Sequence, residues 1–202
     1  MDNDELKEIY EKYGDKLRLL YKHIKNKYIF NIIVRWGKLW DGKFFALNSA
    51  INVYEMIFIY KLSRQTNALN ILEIGCATGV SGMILADSIG KTLVQNPESS
   101  GILTSIDPYQ QTQWKSFGKH NIDNVILPYK RHGINLSHNL VEVTFDPALK
   151  QMIDNNIKYD MILIDGAHNY KDVLYDIKHS NKLIKNGGII VLDDVRHYDV
   201  AK

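Results

Sequence analysis

The sequence predicts an α/β fold with one doubly wound parallel sheet. Three observations carry that reading. From Asn70 onward, short apolar runs alternate with longer segments of helical period. The first run, Ile71-Leu72-Glu73-Ile74, breaks into a turn of small residues, Gly75-Cys76-Ala77-Thr78-Gly79, before a helical pattern starts. Acids stand where the runs end: Glu73, Asp107, Asp165 and Asp193-Asp194. Right-handed crossovers bring such ends to one edge of the sheet, where ligands bind.

The elements follow in order. Asp4 to Lys27 reads as a helix, because Leu6, Ile9, Tyr10, Leu17, Leu20, Tyr21 and Ile24 recur at helical spacing. Its acids come early and its bases (Lys16, Arg18, Lys22, Lys25, Lys27) late, which suits the helix dipole. A basic patch for a partner or nucleic acid is the rival reading. Trp36 and Trp40, with Arg35, Lys38 and Lys43, mark a short segment suited to a substrate lid, a dimer contact or plain packing. Residues 1–48 are thus an N-terminal helical extension and residues 49–202 the core.

Within the core, Asn52 to Gln65 is a helix, Asn70–Ile74 the first strand and Val80–Ile89 the next helix. Gly90–Gly101 reads as a polar loop, Ile102–Ile106 as the second strand, Gln110–Asn121 as a helix and Leu127–Asn139 as a loop. Leu140–Phe145 alternates like a strand, and Ala148–Asn155 is a short helix. Tyr159–Ile164 is an apolar strand and Tyr170–Ile184 a helix stopped by Gly187-Gly188. Ile189–Leu192 is the fifth strand, and no internal repeat appears.

The chain's 202 residues suffice for one domain with a sizeable core. A net charge of +2 gives no strong pull toward nucleic acid or membrane. The single cysteine, Cys76, excludes an intramolecular disulfide and fits a reducing compartment. No run is long and apolar enough to span a bilayer, and the acidic N-terminus lacks a signal-peptide pattern. A cytoplasmic protein without membrane or nucleic-acid partners is expected; a homodimer is one expectation for the tryptophan segment.

The small-residue turn is the most telling motif. Glycine lets a ligand touch backbone, and a helix N-terminus offers N–H groups to an anion. Glu73 adds an acceptor for a cationic or hydroxyl group, so the loop suits a ligand with both a carboxylate and an amine. A dinucleotide fingerprint does not fit, because Ala77 takes the place of its middle glycine between Gly75 and Gly79. A P-loop does not fit either: Gly90-Lys91-Thr92 ends one, but Leu85 stands where its first glycine belongs.

Over roughly Ser49 to Val195 the chain resembles the class I S-adenosylmethionine-dependent methyltransferases, closest to the catechol-type and small-molecule or sugar O-methyltransferase branch. The resemblance implies a Rossmann-like sheet of seven strands, of which the last two are expected to be absent. It implies that Glu73, Gly75, Cys76, Ala77, Thr78 and Gly79 hold the amino-acid end of the cofactor, with Ser81 on its carboxylate. Asp107, followed by Pro108 and Tyr109, matches the acid that holds the ribose hydroxyls. Asp146 lies near the adenine contact, and Trp114 flanks the adenine or packs in the core.

In the metal-dependent members, an Asp after strand four and an Asp-Asn pair after strand five bind a divalent ion. Asp165, Asp193 and Asp194 fall on those places, and hard oxygen ligands suit Mg²⁺. His168 replaces the lysine three residues after the strand-four Asp and stands as the general base beside Asp165. The implied activity is O-methylation of a small-molecule or sugar hydroxyl. The alternatives are an inactive cofactor-binding module with a regulatory or scaffold role, and a nucleic-acid methyltransferase. Strand four ends in Asp165-Gly166, not in the Asn/Asp-Pro-Pro-aromatic motif of amino-methylating nucleic-acid enzymes.

Overall fold

The computed structural model describes residues 3–27, 29–31 and 51–195. The expected tryptophan segment around Trp36 and Trp40 lies outside the described residues. Helix α1 (Asn3–Ile24) comes first, then α2 (Val53–Gln65) and strand β1 (Asn70–Ile74). Next are α3 (Val80–Gln95), β2 (Gly101–Ile106), α4 (Phe117–Arg131) and β3 (Leu136–Val141). The last are α5 (Phe145–Asp154), β4 (Tyr159–Ile164), α6 (Tyr170–Leu183) and β5 (Ile184–Leu192).

The five strands form one sheet in the order β3-β2-β1-β4-β5, and every neighbouring pair is parallel. Both faces are covered, as a parallel sheet requires. The strand alternation divides the core accordingly. Ile71, Leu103, Met161 and Leu163 pack with α1, α2, α3 and α4. Leu72, Ile74, Ile106, Ile162 and Ile164 pack with α5 and α6 on the other face.

Local chemistry sets the boundaries. Asn52 and Glu55 form a capping box that starts α2. α1 is fastened to α3 by Asn26, which donates to the Asp87 carboxylate at 2.6 Å, and by Lys91, which donates to the carbonyl of Ile24 and pairs with Asp87 at 2.8 Å. At the amino end of the sheet, Asp160 accepts from the N–H groups of Leu69 and Asn70 at 3.0 and 2.8 Å and from Lys185 at 2.7 Å. No helix among the described residues is long and apolar enough to cross a membrane.

Several boundaries differ from the sequence expectation. α3 runs through Gly90 to Gln95, so the first half of the expected loop is helix. Gly90 serves a contact: a Cβ there would lie 2.5 Å from the Tyr129 ring. The helix expected over Gln110–Asn121 starts only at Phe117 and extends through Pro128 to Arg131, held by buried Ile122, Val125 and Ile126. β3 begins at Leu136, not Leu140; it is an edge strand with a mostly half-buried polar sequence, so its alternation is weak. α5 starts at Phe145, because Pro147 is tolerated in a first turn that needs no N–H. α6 ends at Leu183, and Gly187-Gly188 lies inside β5, where the pairing jumps from Tyr159↔Ile184 to Met161↔Ile189. Gly187 takes φ +79° in that bulge.

Candidate functional site

A cavity of about 1100 Å³ opens at the carboxyl edge of the sheet. The turn after β1 forms one wall. Gly75, Ala77 and Gly79 take φ of +92°, +45° and +80°. Such alternation turns successive N–H groups toward one point and makes a concave anion site. Here the anion is part of the chain. Asp107 Oδ2 accepts from the N–H of Ala77 at 2.7 Å and of Cys76 at 3.3 Å, and Oδ1 accepts from the N–H of Tyr109 at 2.8 Å. Gln110 ties the two segments further, donating to the Ala77 carbonyl at 2.6 Å and to Asp107 at 3.2 Å.

The glycines also permit close backbone approach. A Cβ on Gly75 would stand 2.1 Å from the Asp165 carbonyl oxygen, and one on Gly79 would stand 2.7 Å from that of Gly118. The turn is therefore wedged between the end of β4 and the start of α4. Asn121 adds a bond of 3.0 Å to the Thr78 carbonyl.

The expected cofactor residues divide into three groups. Gly75, Cys76, Ala77, Thr78 and Ser81 line the cavity, as do Asp107, Pro108 and Tyr109. Gly79 and Glu73 do not line it: Gly79 packs against Gly118 at the start of α4. The parity of Glu73 along β1 sends its fully buried carboxylate beneath α3, where it accepts from Ser81 and Ser105, each at 2.6 Å. Burial raises its pKa, and the two hydroxyls partly offset that. Ser105 in turn meets His138 Nε2 at 3.2 Å, and His138 Nδ1 meets Asp123 at 3.3 Å. Asp146 borders the cavity from α5, bonded by Tyr175 and by Lys150 at 2.9 Å, and these bonds hold it below the usual carboxylate range. The Cys76 thiol is buried and pushed well above its ordinary pKa by that burial, which keeps it neutral.

The opposite wall carries Asp165, His168, Asp193 and Asp194. Burial raises Asp165 to about 8, and the charges of Asp193, Glu73 and Asp194 add to the effect. Burial also raises Asp193, whose Oδ1 accepts from the N–H of Asp194 at 2.8 Å. His168 Nδ1 lies 2.5 Å from Asp194 Oδ2. Asp194 itself sits at φ +53°. Among the described residues, no group of three His, Cys, Asp or Glu is arranged to hold a metal ion.

Other lining residues escaped the sequence reading. Glu55 reaches the cavity from α2, and Asp172 and Asp176 reach it from α6. α6 starts at Asn169, whose side chain accepts from the N–H of Asp172 at 3.1 Å and donates to the Asp172 carboxylate at 2.7 Å. Its buried stripe is Val173, Asp176, Ser180 and Leu183. Two polar residues on a core-facing stripe were the available signal for Asp176. Nothing in the pattern around Gln110 marked it.

The methyltransferase domain family matches residues 72–195. Uncharacterized protein R132 of Acanthamoeba polyphaga mimivirus is 31% identical over 83 residues, 40% of this chain and 36% of that protein, so the match spans about a third of that relative's length. A candidate caffeoyl-CoA O-methyltransferase from Staphylococcus aureus superposes with a TM-score of 0.58 at 24% identity, covering 91% of this chain and 74% of that one. An O-methyltransferase from Bacillus cereus, solved with S-adenosylhomocysteine, gives 0.55 at 18% identity, covering 82% and 73%. At these identities the structural likeness is one of fold. With the family match spanning more than half its length, the chain belongs to the methyltransferase domain family, and its fold is that of the O-methyltransferases it superposes on.

Proposed function

We propose that this chain transfers the methyl group of S-adenosylmethionine to a hydroxyl of a small molecule. The observation that carries the reading is one cavity bordered by Gly75 to Thr78 of the turn, by Asp107 and by His168 paired with Asp194. The cavity suits a cationic cofactor: eight of its described lining residues are Asp or Glu, against one lysine and one histidine. S-adenosylmethionine, when bound, supplies an electrophilic methyl carbon on a positive sulfur.

The chain's own residues do the rest. The turn after β1 borders the cavity without bulky side chains and so offers a place for the amino-acid end, and Asp107 presents a carboxylate to hydroxyl donors. Asp194 orients the His168 ring through Nδ1, so Nε2 is the atom that takes the acceptor's proton. The acceptor O–H bond breaks toward His168 as the O–CH₃ bond forms and the S–CH₃ bond breaks, leaving a neutral thioether. The walls must bring the acceptor oxygen to about 3–3.5 Å from the methyl carbon, in line with the leaving sulfur.

The three carboxylates expected to hold a divalent ion border the same cavity, but His168 engages Asp194 and the trio does not converge. They do not fit a resident metal as arranged, and no step is derived through one.

The test combines two measurements on the full chain. Calorimetry should show S-adenosylhomocysteine binding, weakened at least about tenfold by Asp107→Ala, as loss of charge-assisted hydrogen bonds requires. Transfer of labelled methyl from S-adenosylmethionine to a panel of phenols, catechols and sugars should yield base-stable ether products. Absence of cofactor binding, or label found only on amines or nucleic acid, overturns the proposal.

A further inference from the structure

The cavity's acidic character is uneven, and among its described lining residues one fully buried carboxylate oxygen has no hydrogen-bond partner. Asp107 is bonded by the turn, Asp146 by Lys150 and Tyr175, Asp172 by Asn169, and Asp194 by His168. Asp176 differs. It is only 1% exposed, it lines the cavity, and its Oδ2 has no hydrogen-bond partner. A buried polar atom left without a partner costs about 1–3 kcal/mol, more when charged. An apolar residue would complete the α6 stripe between Val173 and Leu183 at no such cost. Ser180, one turn further along, also lacks a partner but does not line the cavity.

We propose that Asp176, with Asp172 beside it, is the subsite for a positively charged amino group on the methyl acceptor, making the substrate a hydroxylated amine. This rests on the hydroxyl-methylation reading above. An ammonium group matches the wall in size and chemistry. It is a compact cation with donors only, and Asp176 offers an acceptor already desolvated. Burial raises the pKa of Asp176, and the charge of Asp172, on the exposed face one turn earlier, adds to that rise. Tyr175 and Phe145 line the neighbouring wall and give the carbon skeleton an aromatic surface. Nearby basic charge is limited to Lys171 and His168 among the described lining residues. The subsite is on α6, after β4, whereas the glycine turn lies between β1 and α3.

Three probes that share a dihydroxyphenyl ring and differ in charge test this: dopamine, 4-methylcatechol and 3,4-dihydroxyphenylacetate. Calorimetry on the full chain saturated with S-adenosylhomocysteine should rank them cation, neutral, anion, with dopamine at least about tenfold tighter than 4-methylcatechol, as a desolvated charged hydrogen bond predicts. Asp176→Asn should bring the two within about twofold, leaving S-adenosylhomocysteine affinity unchanged and the melting temperature no lower. Asp172→Asn, at an exposed position, should narrow the gap partly and serves should the first variant not fold. Equal affinity for all three probes, or a dopamine preference that survives Asp176→Asn, overturns the subsite. A loss of S-adenosylhomocysteine affinity in Asp176→Asn also overturns it, by giving the carboxylate to the cofactor. Asp176-dependent dopamine binding without methyl transfer would keep the subsite and reject hydroxyl methylation.

Discussion

Gly75→Ala is the sharpest perturbation of the cofactor turn. The added Cβ would meet the carbonyl oxygen of Asp165 at 2.1 Å, its carbon at 2.6 Å and the Cα of Gly166 at 2.8 Å. All three atoms are backbone at the end of a central strand, so no side chain can swing aside. The residue also sits at φ +92°. An L-residue in left-handed backbone costs about 1–2 kcal/mol. Overpacking of this kind costs about 1–3 kcal/mol more. The sum, about 2–5 kcal/mol, corresponds to a melting-temperature fall of about 4–20 °C at roughly 2–4 °C per kcal/mol for a chain of this size. Gly133→Ala is the control. It has φ +77° and nothing within 4 Å of its Cβ position, so it bears the conformational cost without the clash. Thermal melts followed by circular dichroism should place Gly75→Ala well below Gly133→Ala, and calorimetry should show weakened S-adenosylhomocysteine binding in the former only. Equal melting of the two variants would refute the claim that the turn is wedged against β4.

Three further outcomes are expected. His168→Ala should lower kcat by about 10²–10⁴ while leaving S-adenosylhomocysteine affinity intact, as loss of a general base does; parallel loss of both would reassign the residue to binding. Asp165 has a folded pKa raised to about 8 from an ordinary 3.8, so the fold binds its proton more tightly than the unfolded chain does. Its contribution to stability is fully present below about pH 4 and is lost as pH rises to about 8; Asp165→Asn should therefore flatten the melting-temperature decline between pH 5 and about 8, and an unchanged slope counts against the burial described. Asp87→Ala removes the shared partner of Asn26, Tyr129 and Lys91 and leaves three half-buried donors behind, so chemical denaturation should show a loss of about 1–3 kcal/mol.

The alternation of strands and helices was legible because parallel strands buried on both faces read as apolar runs. The acids after β2, β4 and β5 were legible for the same reason, since a polar residue at the end of such a run has to leave the core. Glycine and proline misled the boundaries. Gly90 lies within a helix to admit the Tyr129 ring, Pro128 sits inside α4, and Gly187 forms a bulge in β5. In each case a tertiary contact or a packed face outweighed a local breaker. Glu73 was placed at the ligand by its position before the turn, yet it shares the face of Ile71, two residues earlier, and so points beneath α3. The pairing of His168 with Asp194 joins residues 26 positions apart in neighbouring loops, and no local pattern records it. The resemblance to methyltransferases rests on the turn and the downstream acids together, and the family match begins at Leu72 and ends at Val195, spanning both.

Asp160 has a mechanical consequence. One carboxylate gathers β1, β4 and β5 at the end of the sheet away from the cavity, through side-chain bonds independent of the strand ladder. Neither Asp160 nor any of its three partners lines the cavity. Cohesion of the strands and contact with a ligand are thus served by opposite ends of one sheet, so loss of this carboxylate would loosen three strands at once without removing a group from the cavity wall.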